Sequence, residues 1–441
     1  MSGRRSLLVL AVLAAIALPA GALQLLCIGR SCEDELSGPV RIPFCGLPER
    51  SRALIADGYR EGRSPDVMGV TAGTTVWSEA GGTGLRAPWP GAGDGSTLVP
   101  LAFAGVAVSP GAPLADGTAL DRVAPTVAQI VRFERPFPEV RSGTPIEGVV
   151  DPRAEPPRLV LLIAWKGIGS AELAGRERDW PFLAGLLRDG SGTLAAEPGS
   201  LPLDPAAVLT TIGTGGLPSQ HGVTGSVLRN DQGEVVPAFG AGAPVQVIAT
   251  LADDLEAADP RTLVGLVATD PSDRGIVGGG WYPEQDPVDR VLGDAGAAPL
   301  AVRTLLGTGF GADEVPDVLG VVIDGRVRAL DRWTRAIVRT AERATRGSLG
   351  VVVAGTGSPA GRSAVPDEDL LPAVEAAVPG DEPVVAATVP GGLFLDQDVL
   401  ARAGVTGRAI ADALLGVRTP GGERMMADAF QGFAVSFARY C

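Results

Sequence analysis

The sequence predicts an α/β fold, a doubly wound and mostly parallel sheet with helices on both faces, built as a single domain. Three observations lead there. Short Val/Leu/Ile-rich runs recur along the 441 residues, helical patterns fall between them, and 45% hydrophobic against 20% charged residues is enough to bury a core. In chain order, Pro65 to Val70 is the first apolar run, and a Gly/Pro-rich loop follows at 80–95. The next run is Leu98 to Ala104, then a helical pattern at Ala119 to Val131 and a second Gly/Pro-rich stretch, 136–157, that reads as a linker. Leu159 to Ala164 is a continuous apolar run with no polar alternation, so it reads as a strand buried on both faces. Pro181 to Leu187 has helical spacing, Thr262 to Ala268 is a strand, and 275–300 is a loop. Strands at Val318 to Ile323 and Leu349 to Ala354 alternate with helices at Leu330 to Ala344, Glu368 to Ala377 and Arg408 to Leu415. No internal repeat interrupts the series.

The N-terminus carries an address. Arg4 and Arg5 precede the apolar run Leu7 to Leu18, and Ala20-Gly21-Ala22 follows Pro19, so residues 1–22 read as a signal peptide. Continuation through Leu23, Leu25, Leu26 and Ile28 makes an uncleaved anchor of about 20 residues the alternative. Export is common to both, to the cell envelope or the extracellular space. Cys27 is a poor lipidation site because Leu26 precedes it. Net charge is −14 with no basic tract after residue 5, which excludes nucleic-acid binding by phosphate neutralisation. Cys27, Cys32, Cys45 and Cys441 cluster at the two ends, a distribution that fits oxidised staples better than a zinc site. Lys166 is the only lysine and His221 the only histidine.

Several segments share order and spacing with a known family. Leu159-Val-Leu-Leu-Ile-Ala-Trp-Lys-Gly167 is followed by Pro181-Phe-Leu-Ala-Gly-Leu-Leu-Arg-Asp-Gly190 and Thr210-Thr-Ile-Gly-Thr-Gly-Gly-Leu-Pro-Ser-Gln-His-Gly222. Pro316 to Asp324, the helix from Leu330 and Leu349 to Gly357 continue the series. Over roughly 155–360 this resembles the type I phosphodiesterase and nucleotide pyrophosphatase branch of the alkaline-phosphatase superfamily. Arg63 to Val67, Asp94 to Gly105 and Asp121 to Ile130 resemble the segment that normally ends those proteins. The resemblance therefore implies a circular permutation, with 23–146 as the family's C-terminal part, 147–157 as linker and 158–441 as the main part of the same domain. It also implies that Cys441 and Cys45 flank the cut and form a disulfide, worth on the order of 4 kcal/mol by loop entropy. Cys27 with Cys32 would be a second, smaller bridge.

The family's mechanism needs two metal ions that clamp the attacking and leaving oxygens. Here the first Asp of the pattern falls on Lys166, and an ammonium cannot coordinate a metal. The nucleophile falls on Asp204 or Pro205, with Ser200 the nearest hydroxyl upstream. The Asp of an Asp-x-x-x-His pair survives as Asp324, followed by Arg328. Thr356 and Gly357 stand at two further ligand positions, and the late His becomes Asp94. His221 matches a structural His-Gly and reads as a backbone-bonded helix-end residue. Lys166 has two readings: an ammonium that pairs with Asp94 or Asp324 in place of the metal charge, or a solvated strand-end lysine. Thr210, Thr211 and Thr214 read as the polar face of a helix, Gly278 to Tyr282 as a turn or lid, and Asp253, Asp254, Asp270 and Asp273 as solvated loop acids.

These assignments imply an exported, non-catalytic domain without a cofactor, binding an envelope protein or a glycopolymer or phosphate-ester ligand. The alternative is a phosphoric-ester hydrolase with Zn, Mn, Mg or Ca held by Asp204, Asp324 and Asp94, weak metal candidates that could offer oxygen ligands. A third reading, a different exported module sharing only the α/β pattern, would be supported by a structure in which the Leu98 and Leu349 strands are not neighbours.

Overall fold

The computed structural model describes residues 44–73, 75–78, 82–87, 97–358 and 363–441. The N-terminal leader, Cys27, Cys32 and Asp94 lie outside the described residues. In chain order the strands are β1 (Val67–Ala72), β2 (Thr75–Trp77), β3 (Leu85–Ala87), β4 (Val99–Gly105), β5 (Leu159–Lys166), β6 (Ser191–Ala196), β7 (Val227–Arg229), β8 (Val235–Pro237), β9 (Val264–Ala268), β10 (Val288–Val291), β11 (Asp317–Asp324), β12 (Leu349–Gly355), β13 (Ser363–Val365), β14 (Val385–Val389), β15 (Gly392–Leu395) and β16 (Met426–Gln431). The central sheet runs β10-β9-β11-β5-β12-β4-β6. Its first five strands are mutually parallel, β4 pairs antiparallel with β12, and β6 pairs antiparallel with β4 and so runs with the first five. The fold is thus α/β with a mostly parallel central sheet. Antiparallel β4 lies beside β12, with Ala102 opposite Val353, so the Leu98 and Leu349 strands are neighbours.

Residue parity along the strands sorts the two faces. Val160, Leu162 and Ala164 of β5 join one buried cluster with Val318, Val322, Val352 and Ala354, while Leu161, Ile163 and Trp165 join the other with Leu319, Val321, Val351 and Val353. Helices α1 (Glu49–Gly58), α2 (Val123–Ile130), α3 (Pro181–Asp189), α4 (Pro205–Thr214), α5 (Leu251–Ala258), α6 (Ala298–Leu306) and α7 (Val327–Ala344) flank this sheet, with α2, α4 and α5 on the first face and α3, α6 and α7 on the second. The long α7 buries Val327, Leu330, Thr334, Ile337, Val338 and Ala341, an i, i+3/i+4 stripe that fixes its seating. Its Asp331 is buried as well and accepts hydrogen bonds from Phe182 N and Leu183 N, satisfying orphan donors at the start of α3.

Two expectations change here. The Pro65 run forms β1, which belongs not to the central sheet but to a smaller one, ordered β14-β15-β1-β16 with β3 also on β1. A strand buried on both faces does not declare its sheet, and β1 finds antiparallel partners in β15 and β16 instead. Its core, with Val67, Leu393, Leu395 and Met426, is covered by α8 (Asp367–Glu375), α9 (Gln397–Ala403) and α10 (Gly407–Gly416). The stretch 275–300, expected as loop, holds the edge strand β10 and the start of α6.

The two ends of the described residues meet. Cys45 and Cys441 form a disulfide with Cα atoms 5.2 Å apart across 396 residues. Beside it the Phe44 ring stands 5.4 Å from that of Phe430, edge to face, on the first strand-face core. Replacing both cysteines with alanine should lower the free energy of unfolding by about 2–4 kcal/mol, the usual yield of a native bridge. Urea unfolding of the oxidised protein and the double variant measures it, and a difference under about 0.5 kcal/mol would show that the disulfide does not staple the ends.

Candidate functional site

In an open parallel sheet the crevice for chemistry lies beyond the C-terminal ends of the strands. Here that edge is formed by the ends of β9, β11, β5 and β12, at Ala268, Asp324, Lys166 and Gly355. Lys166 and Asp324 are register partners across β5 and β11. The Lys166 ammonium nevertheless turns to Asp273, with Nζ 2.8 Å from Oδ1. This corrects the expected pairing with Asp324. Asp324 is exposed and takes a hydrogen bond from Thr269 Oγ1 at 3.2 Å, and Asp94 lies outside the described residues. A solvated carboxylate has little need of a cation, whereas Asp273 is fully buried, and its Oδ2 has no hydrogen-bond partner among the described residues. The lysine is 16% exposed, so the solvated strand-end reading also gives way.

Glycines bring Asp273 to this place. It sits in the 3₁₀ turn Pro271–Ile276, which Asp270 opens by accepting from Ser272 N. The turn lies directly on α4. A Cβ on Gly213 would stand 2.4 Å from Gly275 O, and one on Gly275 would stand 2.0 Å from Thr210 Oγ1. Only backbone without Cβ can pack this closely. Burial pushes the Asp273 carboxyl up to about 6, with Lys166 pulling it back down and Asp270 adding a push. Asp204 and Asp270 also feel the lysine's charge. Lys166 is therefore the cation set among three carboxylates at this edge, Asp204, Asp270 and Asp273.

The remaining predicted site residues serve the backbone. Asp204 is the N-cap of α4, accepting from Ala206 N at 2.9 Å and from Ser226 Oγ at 2.9 Å; burial raises its pKa. Pro205 is the first residue of that helix, fully inside, and Ser200 is buried as well. Thr356 is buried, and its Oγ1 accepts from Gly167 N. Gly357, at φ 95°, donates its N–H to Ile168 O and leaves no room for a Cβ against Leu203. Arg328 does not join the edge: it projects from α7, 79% exposed, toward Asp179. Among the described residues no group of three or more His, Cys, Asp or Glu side chains is placed to hold a metal ion.

Thr210, Thr211 and Thr214 lie on a helix as expected, but none of them faces water. All three are fully buried, and Thr210 and Thr214 return their hydroxyl protons to the carbonyls four residues earlier. Thr211 Oγ1 stands 3.1 Å from His221 Nε2, while His221 Nδ1 accepts from Val223 N. A nitrogen that accepts carries no proton, so Nε2 holds it and donates to the threonine. Burial, with the charges of Arg60 and Arg63, pulls the imidazole down to about 3. As the only histidine, its imidazole resonances should stay still between pH 8 and about 5 in the folded protein. A titration near the ordinary value of about 6.5 would refute this neutral, structural role.

The acids expected to be solvated are the largest correction. Asp253, Asp254 and Asp273 are almost wholly buried. Asp253 closes a capping box with Thr250 and accepts from Gly279 N, and Asp254 Oδ1 accepts from Tyr282 OH at 2.9 Å. The glycine-rich segment Gly278 to Tyr282 is thereby fastened down on α5. Asp254 Oδ2 lies 2.8 Å from Arg135 and 3.3 Å from Arg141. A T-x-x-D box ahead of an apolar pattern was the one sequence signal for this cluster.

No protein-family model, curated protein or solved structure gives a significant match to the chain.

Proposed function

We propose that the protein is an exported, non-catalytic relative of the alkaline-phosphatase superfamily, permuted at its termini, with a binding or scaffolding role in the cell envelope toward an envelope protein, glycopolymer or phosphate ester. One observation carries this reading: the Lys166 ammonium, at the C-terminal end of the middle parallel strand, is committed to a buried carboxylate where the resembled family holds a metal ion. An ammonium in that position repels a divalent cation and supplies its charge to the fold. The pairing of β4 with β12 and the bridge between Cys45 and Cys441 support the permuted order.

The hydrolase reading asks Asp204, Asp324 and Asp94 to share a cation. Asp204 is already occupied as a buried helix cap and would have to give up Ala206 N or Ser226 Oγ. Metal analysis of the purified protein, with phosphomonoester and phosphodiester hydrolysis assayed in added Zn, Mn, Mg or Ca, separates the two. The non-catalytic reading expects less than about a tenth of an equivalent of metal and no turnover. Stoichiometric metal with turnover that disappears in Asp324→Ala would restore the hydrolase.

A further inference from the structure

The last turn of the chain exposes aromatic rings that a water-facing surface does not need. The 3₁₀ segment Gly432–Tyr440 seats Gly432 and Val435 in the core and turns Phe433, Phe437 and Tyr440 outward, 51%, 53% and 70% exposed. They form one ridge: the Phe433 and Phe437 rings are 6.3 Å apart, Phe437 and Tyr440 another 6.3 Å, and the Arg439 guanidinium lies 4.8 Å from the Tyr440 ring. The Cys45–Cys441 bridge fastens this ridge to the place where the N-terminal part of the chain joins the domain. In sequence, the apolar run of the leader ends at Ile28, 17 residues before Cys45.

We propose that the ridge of Phe433, Phe437 and Tyr440 is a membrane-surface contact, resting at the headgroup level of a phospholipid bilayer beside the chain's own N-terminal anchor. This rests on the reading of residues 1–28 as an uncleaved anchor. Seventeen residues span at most about 60 Å when extended, so an anchored chain keeps the ridge within reach of the bilayer at all times. Of the three, Tyr440 carries the polar tip that settles at this level, the two phenylalanines supply the apolar area that sinks just below it, and the adjacent Arg439 reaches phosphate. Size argues against a protein partner. From their exposures the three rings offer roughly 350 Å², well under the approximately 800 Å² per side of a stable interface. A weak contact suffices for a surface whose tether supplies a high local concentration.

The test places p-benzoylphenylalanine at position 437 of the full chain, reconstituted in vesicles of phosphatidylethanolamine and phosphatidylglycerol and irradiated. Phe437 is already exposed, so the replacement leaves the core intact. Crosslinking to lipid is expected at about ten times or more the yield from the same probe at Leu300, another exposed apolar residue, as only the ridge would lie at the bilayer interface. Crosslinks to residues 1–43 of the same chain, to a second copy, or to nothing would each overturn the proposal. Flotation of the same vesicles reports on the anchor separately. A chain that floats without lipid crosslinks overturns the ridge alone, and a chain that does not float overturns both.

Discussion

Asp254→Ala should cost about 5 kcal/mol, enough to leave the protein barely folded at room temperature. Asp254 shows no side-chain exposure, and the Arg135 and Arg141 side chains beside it are 6% exposed each. Both guanidiniums also donate to Thr214 O and Ala249 O, so they satisfy the end of α4 and the residue before the α5 cap. Without the carboxylate, two buried positive charges face each other hydrogen-bonded to carbonyls, with Asp253 and Glu139 acting on them only through charge. Burial, reinforced by Arg141, already pulls Arg135 down to about 10 with Asp254 in place. The variant also frees Tyr282 OH, and with it the Gly278 to Tyr282 segment. Arg141→Gln should cost much less, about 1–2 kcal/mol, because one arginine and the carboxylate remain paired. Urea unfolding of the three proteins gives both numbers. Equal, small losses in the two variants would show that the network carries no net stability.

The strands of the central sheet were legible because they are buried on both faces. Leu159, Val318 and Leu349 begin runs with no polar residue to confuse their period, and the structure extends each by one or two residues. The smaller sheet was not legible beyond β1. Its strand β14 is mostly half-buried, and β15 is only four residues long, so neither shows a clean alternation or a long apolar run. The candidate site divides in the same way. Lys166 stood out by being unique and by ending a buried strand. Its partner did not, because Asp273 lies 107 residues away in a loop whose sequence, Asp-Pro-Ser-Asp, looks like any solvated turn. Asp254 finds Arg135 across 119 residues. A carboxylate's burial is decided by what the fold brings over it, and Gly213 and Gly275 made that decision at Asp273 through a close approach that neither residue advertises alone.

Lys166→Met should cost about 3–5 kcal/mol at pH 8 and under about 1 kcal/mol near pH 5, and this pH dependence distinguishes an ion pair from simple packing. In the native protein Asp273 holds its proton up to about pH 6, above the usual carboxylate value near 3.8. A carboxyl raised in this way binds protons more firmly folded than unfolded. Its contribution to stability is therefore fullest below the unfolded value and is lost as pH rises through 6. At pH 8 the carboxylate is ionised, Oδ1 depends on the ammonium and Oδ2 has no hydrogen-bond partner among the described residues. Methionine keeps the length of the side chain and removes the charge, so Asp273 must then stay ionised alone or take up a proton at a cost that grows with pH. At pH 5 Asp273 is already neutral in both proteins, and the ammonium is missed only as a hydrogen-bond donor. Asp273→Asn should be the milder change at pH 8, about 1 kcal/mol, because the 16% exposed lysine can reach water while a fully buried carboxylate cannot. Unfolding curves at the two pH values decide the matter. A loss in Lys166→Met that is the same at pH 5 and pH 8 would mean that packing, not charge, explains the only lysine in the chain.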